Sequence, residues 1–473
     1  MARSYREEPG YRAAQRHLPR PPMAITNEAP PFRRAVFLVT ISSFLVPAAG
    51  VLTQPVLARA LGAGGRGELT AALAPSALAL AVATLGLPEA LTFYLAKHPR
   101  LTRPALLWAT LVASCLGVLC LVAAYLAVPF LSAGYASLGR LILLAMVLTI
   151  PALVVGVFRG GACGRQMWGS IAIERLVNTV LRVLGLGLLW VLGELTVFTA
   201  VLVSCLSPMV AGLVYVRLLL RPSVDDTPQL MSGSALRLLL SFGSRVWLGS
   251  VASMLLSRFS QILMAPLSSL EDLGLFSVAS TISDLPLIVA LAIAGALNGV
   301  NSKSNDPAQV STTARVTTLV GFVGCAVLGG SVPLWIKPLF GDEFGAATVP
   351  TLMLLLSVVI CIPGVMAATG VTAWGRPGLR SIGLIVTLAT NVVVFVILVP
   401  EIGVIGGCVT SIVSNVVMTT FMVVAASRVM DQPVSSFLLP RASDVALAWR
   451  EGRHLVSKAL SRLPISRADR TSV

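Results

Sequence analysis

Six ionisable side chains stand inside stretches of this chain that are otherwise apolar: Glu89, Glu174, Arg175, Arg182, Arg245 and Asp284. A charge at the centre of a membrane helix costs about 2.5–3.5 kcal/mol on insertion scales, so each of these has to face something other than lipid. Arg175 and Arg182 are seven residues apart and share one helical face, with Asn178 and Thr179 between them. Arg245 follows Ser241 by one turn. Arginine stays charged and can grip a phosphate with two parallel hydrogen bonds. Arg175, Arg182, Arg245 and Asn178 therefore describe a cationic cavity for an anionic substrate. Glu89, Glu174 and Asp284 are candidates for coupling transport to H+ or Na+. They could equally neutralise the arginines as structural ion pairs, and the sequence leaves both open.

Other chemistries lack their residues. No GxxxxGK[ST] loop is present to cradle ATP phosphates, and no HExxH or GxSxG motif appears. The three histidines, His17, His98 and His454, sit outside the span centres, so a histidine proton relay is not expected. Seven cysteines lie in or beside apolar runs without metal-ligand spacing and read as small apolar side chains. No metal, cofactor or catalytic residue is expected. A transporter fits better than an enzyme.

The elements that must position these residues are membrane helices. Of 473 residues, 56% are hydrophobic and 12% charged, with mean hydropathy +0.87. Soluble domains carry about 25% charged residues. The apolar residues fall into runs of about 20, enough to cross the hydrocarbon core as helix. Twelve such runs lie near 35–56, 70–95, 105–130, 138–158, 170–192, 196–217, 238–257, 275–297, 314–335, 349–372, 381–400 and 404–426. With the N-terminus in the cytoplasm, 27 of the 35 Lys and Arg fall in inner segments. Five (Arg59, Arg66, Arg140, Arg258 and Lys337) fall in outer loops and three inside spans. That asymmetry is the positive-inside pattern of a cytoplasmic (inner or plasma) membrane protein with both termini inside. The net charge of +15 would also suit a nucleic-acid partner, but its distribution follows the membrane instead. No apolar stretch in the basic N-terminal tail reads as a cleaved signal peptide. The outer loops are short, and no domain outside the membrane is expected.

The expected organisation is all-α, with about twelve transmembrane helices in two six-helix lobes. A basic tail covers 1–34, an N-terminal lobe 35–221, a cytoplasmic linker 222–237, a C-terminal lobe 238–426 and a second basic tail 427–473. In that last tail Val445, Trp449, Val456, Leu460 and Leu463 recur near helical spacing among Arg and Lys. They describe either an amphipathic helix lying on the inner leaflet or a loose basic tail. The two lobes show a weak parallel repeat. At an offset of 207, Ala58 meets Ala265, Gly67 meets Gly274 and Ala72 meets Ala279. At an offset of 211, Ala162-Cys-Gly-Arg165 meets Ala373-Trp-Gly-Arg376. Six-helix halves related by an axis along the membrane normal place a substrate site between them. Gly156, Gly160 and Gly164, four apart, form a smooth face for close helix packing. Pro47, Pro88, Pro151, Pro208, Pro286 and Pro363 interrupt spans as kinks or hinges.

Five motifs in order resemble one family: Leu57-Ala-Arg-Ala-Leu-Gly-Ala-Gly-Gly-Arg-Gly-Glu-Leu69, Gly86-Leu-Pro-Glu-Ala90, Phe158-Arg-Gly-Gly-Ala-Cys-Gly-Arg165, Leu339-Phe-Gly-Asp-Glu-Phe-Gly-Ala-Ala347 and Ala373-Trp-Gly-Arg-Pro377. Over about 35–426 the chain resembles the polysaccharide and lipid-linked oligosaccharide flippases of the multidrug/oligosaccharidyl-lipid/polysaccharide (MOP) exporter superfamily. The resemblance implies V-shaped lobes that alternate access. It implies a lipid-linked glycan on an undecaprenyl-type diphosphate, moved with energy from an ion gradient, beside polysaccharide assembly proteins. It carries a cavity role to Arg175 and Arg182. Relatives often place an Asp in span seven, where this chain reads Arg258-Phe259-Ser260-Gln261. Coupling through that span is thereby in question, and Glu89 and Asp284 remain. Other readings are a multidrug antiporter of the same superfamily, a membrane polysaccharide polymerase or glycosyltransferase, and a non-transporting envelope scaffold.

Overall fold

A computed structural model describes residues 32–98, 101–216, 233–304 and 307–439, with 441 and 444. The N-terminal tail before 32, most of the 222–237 linker and the amphipathic helix expected over 445–463 lie outside the described residues. Among the described residues the chain is helical, with no strand.

The first half holds α1 (Phe32–Ala83), α2 (Leu87–Lys97), α3 (Thr102–Leu131), α4 (Ala136–Gly164), α5 (Trp168–Val191) and α6 (Val197–Gly212). The second holds α7 (Gly233–Leu267), α8 (Leu270–Ser304), α9 (Pro307–Phe340), α10 (Thr348–Ala373), α11 (Pro377–Met430) and the short α12 (Ser435–Leu438). Two of these are double-length and turn back on themselves. In α1 the break is Gly62, at φ 67 and ψ −177. Arg66 Nη2 donates to Gln54 Oε1, twelve residues away. A straight helix would hold them about 18 Å apart, so the chain reverses between them. In α11 the break is at Ile402–Gly403, and Asn391 Nδ2 donates to Ser414 Oγ at 3.1 Å across it. A loop expected over 57–69 is therefore corrected to helix interrupted at one residue. Glycine is required there because φ is positive and no L side chain adopts that geometry without strain.

Among the described residues, eight helices are long and apolar enough to cross a membrane. α5 is long enough too, but carries Glu174, Arg175 and Arg182. Counting α1 and α11 as two each, α1 and α3–α11 give twelve long segments. Their outer faces are apolar and bare: Leu107, Leu119, Leu126, Leu184, Leu334 and Ile397 are all more than 60% exposed. A soluble protein does not leave such faces uncovered, and lipid covers them here. The chain is an integral, multi-pass membrane protein.

Each half has its own core. One gathers Leu87, Leu91, Leu106, Leu153 and Tyr215, the other Leu355, Ile362, Met366, Met422 and Phe437. Two further clusters join the halves at the end that carries Gly62: Leu57, Leu69 and Ala72 pack with Met264, Leu273 and Phe276, and Ala58 and Ala63 with Val278 and Phe344. The helices cross there almost backbone to backbone. A Cβ on Gly67 would lie 1.6 Å from the Leu270 carbonyl oxygen, and one on Gly274 would lie 2.0 Å from that of Ala63. Within the N-terminal half, Gly160 and Gly164 pack against the α2 backbone at Pro88 and Leu91, while Gly156 faces open space.

At the opposite end the chain is strapped by an ion pair. Arg315 of α9 donates to both Asp444 oxygens, at 2.6 and 3.1 Å, and to the Ser436 carbonyl at 2.6 Å. Arg315 and Asp444 are both almost fully buried. These hydrogen bonds hold the Asp444 carboxyl below its ordinary 3.8. The strap therefore contributes fully above pH 3.8 and is lost as pH falls through the lowered pKa. Arg315→Ala strands a buried carboxylate, at about 3–5 kcal/mol. Limited proteolysis at neutral pH should then cut the variant after residue 430 much faster than wild type. Equal protection of the two would show the strap to be idle.

Candidate functional site

Between the halves lies a cavity of about 360 Å3. Its charged lining comes from four helices: Arg66 on α1, Arg182 on α5, Arg258 on α7 and Asp284 on α8. Arg66 is only 7% exposed. It sits one turn past the Gly62 reversal, which swings it back beside Gln54. Arg258 is steadied by Gln261, its Nη1 donating to Oε1 at 2.7 Å. Arg66 and Arg182 are near enough for their charges to oppose each other. In all three arginines the Nε hydrogen is buried and has no hydrogen-bond partner. Three cations around one carboxylate leave the cavity with a formal charge of +2, held in place by helix packing. Such a cluster is stable only when an anion or water supplies what the protein does not.

Thr70 and Ser277 close the cavity at the Gly62 end with a hydroxyl–hydroxyl bond of 3.1 Å. They are 207 apart, the repeat offset, as are Gly67 and Gly274 at the crossing beyond them. Above the crossing, the Glu343 carboxylate from the other half accepts the Ala63 amide at 2.8 Å, and Arg59 donates to the Pro338 carbonyl. Toward the other end, Trp247 Nε1 of α7 donates to the Val82 carbonyl at 2.8 Å.

Two further spaces adjoin this cavity. A chamber of about 670 Å3 lies wholly within the C-terminal half and shares Arg258, Gln261, Ser280 and Asp284 with it. An apolar groove of about 430 Å3 runs between α8 and α9 and shares Leu285.

Of the residues singled out in the sequence, Arg182 and Asp284 reach the cavity. Arg175 does not line it. Seven residues of helix place it about 10.5 Å along the axis on the same face, beside Cys163. Asn178 is half-buried and also outside the lining. Glu174 is fully buried, its Oε1 bound to Arg159 Nη2 at 2.8 Å and its Oε2 accepting from the Tyr215 hydroxyl at 3.4 Å. It ties α4, α5 and the turn after α6 together, with Arg159 as a cation partner. Glu89 is exposed in the first turn of α2, where a negative charge suits the helix N-terminus. Arg245 falls in α7, in a stretch whose side chains are outside the described residues.

Arg66 and Arg258 were expected in outer loops, and the structure corrects both. A charge ends an apolar run in the sequence, but α7 continues past Arg258 to Leu267 and α1 resumes directly after Gly62. Arg258 and Gln261 are three apart, a spacing at which two polar side chains meet on one helical face, and that is a sequence signal for Arg258; Arg66 has none.

Two predictions test this geometry. A Thr70→Cys/Ser277→Cys pair should oxidise readily, because the hydroxyls it replaces touch. The disulfide should hold the Gly62 end shut and stop any transport until reductant is added. Failure to crosslink in the membrane would show that the two helices do not meet. Glu174→Gln leaves Arg159 without its anion and should lower stability by about 1–2 kcal/mol, below the range for a stranded buried charge because Arg159 is 40% exposed. A thermal midpoint within a degree of wild type would contradict it.

Residues 32–298 match the family model described as "Polysaccharide biosynthesis protein". No curated protein matches the chain at the sequence level. Among solved structures, the chain is similar to the lipid II flippase MurJ in an inward closed conformation, at TM-score 0.69 and 10% identity, covering 87% of this chain and 92% of that one. It is also similar to an inward-facing multidrug resistance MATE family transporter of the MOP superfamily, at TM-score 0.60 and 18% identity, covering 84% and 99%. A third is a MOP superfamily transporter from Pyrococcus furiosus, at TM-score 0.52 and 17% identity, covering 84% and 96%. At these identities the structures show the fold, and the family model spans more than half of the chain. The protein belongs to the polysaccharide biosynthesis protein family and has the fold of the MOP superfamily transporters.

Proposed function

We propose that this protein is an alternating-access flippase. Its cargo is a lipid-linked oligosaccharide or polysaccharide precursor of the polyprenyl diphosphate type. It carries that precursor across the cytoplasmic membrane for cell-envelope polysaccharide assembly. The observation that carries the reading is the convergence of Arg66, Arg182 and Arg258 on one cavity between the halves, each with an unpartnered Nε. A diphosphate offers the charge and the acceptor oxygens those three donors lack. The family match to polysaccharide biosynthesis and the shared fold with a lipid II flippase support the same cargo class. Leu285 adds a way out for the lipid, because it lines both the cavity and the apolar groove between α8 and α9.

In this reading the chain crosses the membrane twelve times, as two lobes over 35–221 and 238–426 with both tails in the cytoplasm. The distribution of Lys and Arg supports that orientation. The lipid begins in the inner leaflet, and ion gradients supply the energy. Asp284 is the carboxylate placed to sense an ion, since it lines the cavity opposite Arg258. Glu174 is engaged by Arg159 and Glu89 lies on a helix start. Phospholipid and polysaccharide assembly proteins are the partners of such a cycle. A cationic-drug antiporter shares the fold, but a cavity with three arginines repels its substrates.

The test is leaflet-resolved transport of a lipid-diphosphate oligosaccharide in proteoliposomes, comparing wild type with Arg66→Ala, Arg182→Ala and Arg258→Ala. Each loss removes a charge-assisted hydrogen bond of about 1.5–3 kcal/mol, so substrate affinity should fall roughly tenfold or more. Folded variants that transport like wild type would overturn the cavity assignment. Efflux of cationic dyes without lipid movement would favour the antiporter.

A further inference from the structure

The chamber within the C-terminal half is chemically unlike the cavity it joins. Its charged groups stand at its two ends, Arg258 and Asp284 where it meets the central cavity and Arg380 at the start of α11. Between them the lining alternates hydroxyls and amides with aliphatic side chains. Asn391 is 4% exposed, and its Nδ2 donates to Ser414 Oγ at 3.1 Å. Its Oδ1 is buried and has no partner. Asn415 reaches Ser357 Oγ at 2.8 Å. Thr387 and Ser411 give their protons to carbonyls of their own helix, at 2.7 and 3.0 Å. Each of those hydroxyl oxygens keeps a lone pair free to accept.

A wall of this kind asks for a ligand rich in hydroxyl donors and poor in charge. It offers acceptors to O–H groups and aliphatic patches to C–H faces. A lipid tail would leave the Asn391 carbonyl unsatisfied, at about 1–3 kcal/mol. A bare cation would want several carboxylates, and Asp284 alone lines the chamber. The volume of about 670 Å3 falls within the ordinary range of small-molecule sites. Arg258 lines both spaces, so an anion held at Arg258 stands at the chamber mouth.

We infer that this chamber is a carbohydrate subsite that receives the neutral sugar residues next to the diphosphate, with Asn391 Oδ1 accepting a hydrogen bond from a sugar hydroxyl. The inference rests on the flippase reading and adds to it where the glycan lies. The halves then divide the cargo: arginines from both grip the diphosphate, and the C-terminal half alone reads the sugar.

The experiment uses the full chain in lipid nanodiscs with two probes: a polyprenyl diphosphate without sugar, and the same lipid diphosphate carrying a neutral disaccharide. Asn391→Leu keeps the branching and the number of side-chain heavy atoms and removes both hydrogen-bonding groups. It should weaken binding of the glycosylated probe about tenfold and change binding of the sugar-free probe less than twofold. Ser411→Ala, a smaller change one turn from Ser414 on the same wall, should shift the same ratio in the same direction, and it answers the question if Asn391→Leu does not fold. Equal weakening of both probes, or none, overturns the sugar subsite while leaving the diphosphate cavity standing. A chamber that carries a coupling ion would show itself by equal loss for both probes together with an altered Na+ or pH dependence. If wild type binds neither probe, the flippase reading and the subsite fall together.

Discussion

A helix break leaves backbone amides and carbonyls without their usual partners one turn away, and in this chain protein groups take them up. The two breaks in the first helical hairpin are answered from the other half. At Gly62 the interrupted helix exposes the Ala63 amide, and Glu343 caps it. At Leu85–Gly86 both residues have positive φ, and the Val82 carbonyl turns to Trp247 of α7. The contacts that hold the halves together are thus also the contacts that satisfy the backbone. If the halves part, the Ala63 amide loses its Glu343 partner and the Val82 carbonyl keeps only the Leu85 amide of its own turn. The conformation of the hairpin and the separation of the halves are one variable.

The same hairpin carries Arg66, and its placement follows from the reversal rather than from the helix that bears it. Had α1 run straight through residue 62, Gln54 and Arg66 would lie about 18 Å apart and would share no cavity. The close crossing of Gly67 and Gly274 then sets how far the two halves can approach. Thr70 and Ser277 seal the seam one turn below it. The cationic cavity begins immediately under that seal. Its depth and its charge are consequences of where two glycines allow two backbones to touch.

Much of this was legible in the residues. The membrane fold and the family follow from hydropathy and motif order, and the cost of a charge in lipid is why Arg182 turns to a cavity. Gly67 and Gly274, paired in the sequence at offset 207, lie against each other where the two halves cross. The limits are equally physical. Hydropathy reads a charge as the end of a span, so it moved Arg66 and Arg258 out of the membrane when they are the reason the helices have a polar face there. The other three cations placed in outer loops, Arg59, Arg140 and Lys337, also stand in helices, each about a turn from a helix end or from the Gly62 break. Partner choice was hidden as well. Nothing in the spacing of Glu174 indicates that Arg159, fifteen residues earlier on another helix, pairs with it.

The division of the cavity between halves gives a physical reason for release in the proposed cycle. Arg66 and Arg182 belong to the N-terminal half, and Arg258 and Asp284 to the other. The Thr70 hydroxyl is bonded to the Arg66 carbonyl at 2.9 Å, so Arg66 moves with the seal. Parting Thr70 from Ser277 would carry Arg66 away from Arg258, and an anion held by both would keep only one set of donors. Water enters the gap at the same moment and raises the local dielectric, weakening what attraction remains. An anion gripped by both halves while the seam is shut is therefore held loosely once it opens, and opening alone favours its departure on that side.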